Sequence, residues 1–309
     1  METVTGIQSK GLSRRAALKT GVLGAAAAVS VLAPSGTARA QVNRTSTRNM
    51  HVSLAAYSMR EALTKGTMDL FGFIDWCAEM DLAGAELTSY YFKKDFDAPY
   101  LRELRRRAFN RGVTVSGTAI RNNFCMSDGP EKQKEIDGVK RWIDCAAELF
   151  APHIRIFAGE VPAGMDKKTA IGNTAEGIRA VLDHAAARGI MLGLENHGGI
   201  TARVEDHLAI CDAVGKHPWF GINLDTGNYY TNAYEELAMA APRAVNVQIK
   251  VEVMRSDKGP KEPADLWRFK QILVDATYKG WIALEYEADA EPTLAIPRYI
   301  KQLKDLFEG

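Results

Sequence analysis

From residue 51 onward, short continuous apolar runs alternate with longer segments whose apolar residues return every three or four positions. The runs are 51–57, 84–88, 113–119, 153–158, 190–195, 220–225, 244–250 and 281–285. They are short and largely apolar, the pattern of parallel strands covered on both faces. The intervening segments predict helices near 67–81, 98–111, 130–150, 167–188, 203–215, 232–241, 264–279 and 292–307. In 167–188, for example, Ile178, Val181, Leu182 and Ala185 recur at i, i+3, i+4 and i+7, one stripe of a helix. Gly112, Gly189 and Gly280 stand just before the next strands, where a left-handed residue closes a helix. Eight strand–helix units predict a single-domain (β/α)8 TIM barrel of the α/β class over 51–309. A doubly wound open sheet is the runner-up, and the absence of a Gly-rich dinucleotide fingerprint after the first strand counts against it. The longest irregular stretches, 120–131, 159–166 and 253–264, follow strands, where barrel enzymes place active-site loops.

The first forty residues have a different pattern. Ser13-Arg14-Arg15 opens a basic segment, residues 22–33 are apolar and Ala-rich, and Ala38-Arg39-Ala40 is a small-x-small cleavage signal. The apolar stretch is shorter than the ~20 residues a membrane span needs. The order of these parts matches a twin-arginine export signal over 1–40, followed by a polar lead-in over 41–50. The expected location is therefore the periplasm, reached through the twin-arginine machinery, with no stable membrane anchor after cleavage.

Charge adds to this. The chain of 309 residues carries 39 Lys+Arg and 38 Asp+Glu, a net +1. Cleavage removes Lys10, Arg14, Arg15, Lys19, Arg39 and Glu2, which brings the net charge to −3. A mildly acidic protein lacks the basic stripe of a nucleic-acid binder, so no nucleic-acid partner is expected; self-association stays open. Cys77, Cys125, Cys145 and Cys211 show no paired spacing, the pattern of free thiols rather than a disulfide or zinc-thiolate framework.

The candidate chemistry lies at the ends of the late strands. The relevant segments are Leu194-Glu195-Asn196-His197, Leu224-Asp225-Thr226-Gly227-Asn228, Val247-Gln248-Ile249-Lys250 and Leu284-Glu285-Tyr286-Glu287. In a parallel barrel these C-terminal ends converge on one face. A buried strand-end carboxylate is costly unless paired or metal-bound. Glu195, Asp225 and Glu285 together would repel one another without a cation, and a divalent ion with oxygen ligands relieves that. His197, two residues after Glu195, shares its side of the strand. Lys250 is either a substrate anchor, a base, or a paired barrel lysine. Asn122 and Tyr57 are candidates for substrate contact at the mouth, as is Tyr229, and Arg155 and Glu86 are candidates for inward-facing barrel residues.

The LENHGG, GINLDTGN, VQIKVEV and ALEYE segments resemble those of the sugar isomerase/epimerase-like TIM barrels, the superfamily of xylose isomerase, ketose 3-epimerases, inosose dehydratases and endonuclease IV. The resemblance covers nearly all of 51–308. It implies one metal held by Glu, Asp, His and Glu from the fifth to eighth strands, which fall on Glu195, Asp225, Gln248 and Glu285. Gln248 in place of His is a departure. Its harder amide oxygen shifts the expected ion toward Mn²⁺ or Mg²⁺ and away from Zn²⁺. Asn228, where many relatives have His, is a second departure and an expected substrate contact; both weigh against a trinuclear zinc nuclease site.

The expectation is a metal-dependent isomerase or epimerase acting by proton abstraction next to a carbonyl of an unphosphorylated sugar or keto-sugar. Glu195 and Glu285 would carry the proton, with His197 and Lys250 as further catalytic candidates. The alternatives are a lyase or dehydratase that eliminates from a 3-keto-glycoside through the same enediolate, and a non-catalytic sugar-binding barrel.

Overall fold

The eight apolar runs form parallel strands of one closed ring. In the computed structural model, which describes residues 50–256 and 259–309, the strands are β1 (Met50–Ala55), β2 (Gly84–Thr88), β3 (Thr114–Ala119), β4 (His153–Ile156), β5 (Met191–Glu195), β6 (Phe220–Asp225), β7 (Ala244–Ile249), a hairpin of β8 (Glu252–Met254) and β9 (Lys261–Pro263), and β10 (Gly280–Leu284). The ring runs β1-β10-β7-β6-β5-β4-β3-β2, with β8 and β9 paired apart from it. The expected (β/α)8 barrel is therefore present. The signal over 1–40 and the lead-in over 41–49 lie outside the described residues. Met50, grouped with the lead-in on sequence, is the first residue of β1.

Beyond α1 (Arg60–Lys65), which lies outside the predicted segments, the helices follow them: α2 (Leu70–Glu79), α3 (Ala98–Asn110), α4 (Pro130–Leu149), α5 (Lys167–Arg188), α6 (Val204–Val214), α7 (Ala233–Ala240), α8 (Leu266–Asp275) and α9 (Pro292–Phe307). Their starts are chemically marked. The Asp69, Asp97, Asp166 and Asp265 carboxylates accept hydrogen bonds from the amides of Gly72, Tyr100, Thr169 and Arg268, capping α2, α3, α5 and α8. Gly189 closes α5 at φ +70° as expected. Gly280 does not close α8. That helix ends at Asp275, Thr277 takes the left-handed position at φ +56°, and Gly280 begins β10. The stripe Ile178, Val181, Leu182 and Ala185 is buried against the barrel, and Ile296, Ile300, Leu303 and Phe307 of α9 do the same. All four cysteines are free. Among the described residues, no helix is long and apolar enough to cross a membrane.

The barrel interior is tightly filled. A Cβ on Gly193 of β5 would lie 2.5 Å from His153 Nε2 and 3.0 Å from the Asn223 backbone nitrogen. Glycine here makes room for the His153 ring inside the ring of strands. Gly193→Ala is expected to destabilise the fold by about 1–3 kcal/mol through overpacking. A urea unfolding midpoint equal to that of the wild type would contradict this.

Candidate active site

The ends of β5, β6 and β10 bring Glu195, Asp225 and Glu285 to the barrel mouth, with Gln248 one residue inside the end of β7, and all four are buried. Two asparagines tie the strand ends together. The Asn196 amide donates to the Asp225 carbonyl at 2.8 Å and accepts from the Asp225 N–H at 2.9 Å. Asn122 does the same to the backbone of Phe157, at 2.7 and 2.8 Å. Asn122, expected to meet substrate, therefore spends both ends of its amide on the scaffold.

The carboxylates are paired with two buried cations. Arg155 of β4 places Nε 2.7 Å from Glu195 Oε2, donates from Nη1 to the Ile120 carbonyl, and lies over the Phe157 ring at 4.0 Å. The Asn228 amide donates to the other Glu195 oxygen at 3.1 Å. Lys250 Nζ donates to Glu285 at 2.5 Å and to Glu287, and lies 3.3 Å from Asp225 Oδ2. Glu287, two residues beyond Glu285, was missed on sequence. The alternation of an extended chain that placed His197 beside Glu195 was the signal for it.

These contacts set the protonation of the site. Burial, with repulsion from Asp225 and Glu285, raises Glu195 well above the ordinary carboxylate range despite Arg155. Burial pushes Asp225 up to about 7 against the pull of Lys250. Burial acts the same way on Glu285, but the charge and hydrogen bond of Lys250 outweigh it and hold Glu285 below its usual range. Lys250 itself stays charged, because its three carboxylate neighbours outweigh its burial.

Gln248 faces a different set of partners. Its Nε2 donates to Glu86 Oε1 at 2.6 Å, and its Oε1 accepts from Asn223 Nδ2 at 2.6 Å. Asn246 closes the loop by donating to Glu86 Oε2 and Asn223 Oδ1. Both ends of the amide expected to ligate an ion are thus committed inside the barrel. Burial and the nearby Glu285 raise Glu86 to about 7. Gln248→Leu leaves a buried Glu86 oxygen and the Asn223 amide without partners, and is expected to cost about 1–3 kcal/mol in chelator-treated protein. Unchanged urea unfolding would show that the amide holds nothing together.

Cavities open at the rim, one of them beside Asn228, Lys250 and Glu287, and two more bear on the expected substrate contacts. One of these two, of about 330 Å³, is lined by Arg121, Asn122, Asn123, Phe157, Glu160 and His197. The His197 ring stacks on Phe157 at 4.0 Å, and burial with the Arg155 charge lowers its pKa to about 4, so it is neutral. The other, of about 650 Å³, is lined by Tyr57, Arg60, Tyr90, Tyr91 and Arg121. Tyr57 is at the mouth as expected. Tyr229 is not: it is fully buried and its hydroxyl bonds His207 Nδ1 at 2.8 Å.

The donor chemistry fits a hard divalent cation. Among the described residues, Glu195, Asp225, Glu285 and Glu287 form ion pairs with two cations, Arg155 and Lys250, an excess of two negative charges when all are ionised. Glu195 Oε2 and Asp225 Oδ2 are buried and have no hydrogen bond beyond their ion pairs with Arg155 and Lys250. Among the described residues, no group of three His, Cys, Asp or Glu side chains is arranged to hold an ion; instead the Lys250 ammonium touches Asp225, Glu285 and Glu287.

A sequence model of the family described as xylose isomerase-like TIM barrel matches residues 74–306. A curated relative, a probable endonuclease 4 from Haloquadratum walsbyi, is 26% identical over 159 residues, 50% of this chain and 54% of that protein. The chain thus spans about half the length of that relative. A solved D-psicose 3-epimerase, studied with D-fructose, is similar in fold with a TM-score of 0.67 at 15% identity, over 84% of this chain and 100% of that one. An IOLI protein with a binding zinc atom has a TM-score of 0.67 at 15% identity, over 84% and 98%.

Proposed function

The chain belongs to the xylose isomerase-like TIM barrel family, and on that basis we propose that its mouth interconverts isomers or epimers of an unphosphorylated sugar or keto-sugar by moving a proton next to a carbonyl. The observation that carries this reading is the pair Glu195 and Glu285. They end strands three places apart in a ring of eight, each beside its own cation. Such a pair flanks a bound substrate on two faces. Glu285 takes a proton from one face of the substrate and Glu195 returns one on the other. Asn228 and Arg155 fix the orientation of Glu195. His197, neutral and stacked on Phe157, offers a polar edge to hydroxyls from the cavity it lines.

Glu195, Asp225 and Glu285 would hold a divalent ion, Mn²⁺ or Mg²⁺ by their oxygen donors, which when bound polarises the substrate carbonyl. The surplus of carboxylates at the mouth disfavours a phosphorylated ligand and suits a neutral polyhydroxy one. The proposed setting is the periplasm, after export through the signal over 1–40.

The test is to incubate the Mn²⁺-supplemented protein with unphosphorylated ketoses and keto-glycosides and identify the products by NMR. An epimer or an aldose–ketose isomer is expected. Loss of water or of a glycosidic leaving group would instead make the enzyme a lyase, and binding without turnover would make it a sugar-binding barrel.

A further inference from the structure

We propose that Lys250 is a built-in counter-ion, an ammonium that occupies the carboxylate cluster when no divalent ion is bound and withdraws toward Glu287 when one is. This rests on the reading that the mouth carboxylates hold such an ion.

Three observations support it. First, Nζ contacts Asp225, Glu285 and Glu287 at once, and its side chain is 8% exposed. An ammonium and a divalent ion cannot share the same oxygens without strong repulsion. Second, the position of Lys250 is built from both ends. Its backbone N–H donates to Thr226 Oγ1 at 2.8 Å. Its stem lies across Gly227, where a Cβ would meet Lys250 Cγ at 2.6 Å and Cβ at 2.9 Å. The φ of Gly227 is not in the left-handed region, so the glycine is explained by the space the lysine stem needs. Third, the cluster offers a way out. The Glu287 side chain is 33% exposed, whereas that of Asp225 is fully buried and that of Glu285 is 7% exposed. An ammonium already bonded to Glu287 can give up Asp225 and Glu285 with its charge still paired at the edge of the site.

The consequence is a site that is partly neutralised without metal and binds metal only against its own lysine. Physically, Lys250 lowers the affinity for the ion and stabilises the ion-free fold. Both effects depend on its charge and length, and neither requires a catalytic role.

The experiment is titration calorimetry of Mn²⁺ into chelator-treated wild type, Lys250→Met and Lys250→Arg, with thermal unfolding of each protein with and without Mn²⁺. Lys250→Met is expected to bind Mn²⁺ at least about tenfold more tightly than the wild type, since a full positive charge a few ångströms from the ligands is removed. It should also unfold at a lower temperature without Mn²⁺ and regain most of the difference when saturated. Lys250→Arg, which keeps the charge, should show no gain in affinity and serves as the reference if Lys250→Met folds poorly. Equal Mn²⁺ affinity in wild type and Lys250→Met would overturn the counter-ion role and leave the proton-transfer reading standing. Mn²⁺ binding to none of the three would overturn the counter-ion role and the metal part of that reading together.

Discussion

Glu285→Gln is expected to lower turnover by about 10²–10⁴-fold, the usual contribution of a positioned acid or base. The substitution keeps the shape of the side chain and an oxygen that can still accept from Lys250, so the barrel should remain folded. What it loses is the ability to take up a proton as a carboxylate. Glu195→Gln should fall by a similar factor for the complementary reason, since the amide has no acidic proton to return. The two variants are checked by kcat on whichever substrate is turned over, with circular dichroism and Mn²⁺ binding to confirm an intact site. If both variants keep near wild-type turnover, the base is another group, with Lys250 and His197 next in line.

Arg155→Met is expected to cost about 3–5 kcal/mol of stability, the range for removing one partner of a buried ion pair. Arg155 is 4% exposed and is the cation beside Glu195. Its loss also leaves the Ile120 carbonyl without the Nη1 donor and removes the guanidinium from the Phe157 ring. The cost should depend on pH. The pKa of Glu195 in the folded protein already lies above its unfolded value of about 4.3, and removal of Arg155 raises it further. A carboxyl raised on folding binds more protons in the native state, so its contribution to stability falls as pH rises. Urea unfolding of chelator-treated Arg155→Met should therefore show a larger deficit at pH 8 than at pH 5. A small deficit that does not change with pH would mean that Arg155 does not compensate the Glu195 charge.

The strands were legible because each is a short continuous apolar run, and the boundaries read for 84–88 and 220–225 coincide with β2 and β6. The short α1, six residues long, and the β8–β9 hairpin have too few positions to establish a period. Glu195, Asp225 and Glu285 were legible for the same reason as the strands, since each ends an apolar run; Glu287, two residues past such an end, was not. Which partner each carboxylate would take was not legible either. Gln248 stands where a ligand is expected, but its orientation is decided by Glu86, 162 residues away in the chain, and by Asn223 and Asn246 on the neighbouring strands. Repulsion between Glu195, Asp225 and Glu285 was foreseeable. Arg155 and Lys250 were candidates for inward-facing, paired residues, and they are; which carboxylate each meets is set by strands far apart in the chain, which an apolar pattern does not encode.

The central claim is that Glu195 and Glu285 move a proton next to a substrate carbonyl. It is tested most directly in D2O with the Mn²⁺-supplemented protein and the turned-over sugar, by NMR of the carbon beside the carbonyl. Solvent deuterium is predicted to appear at that carbon with wild type and to disappear with Glu285→Gln. Product formed with the original hydrogen retained there would contradict the account.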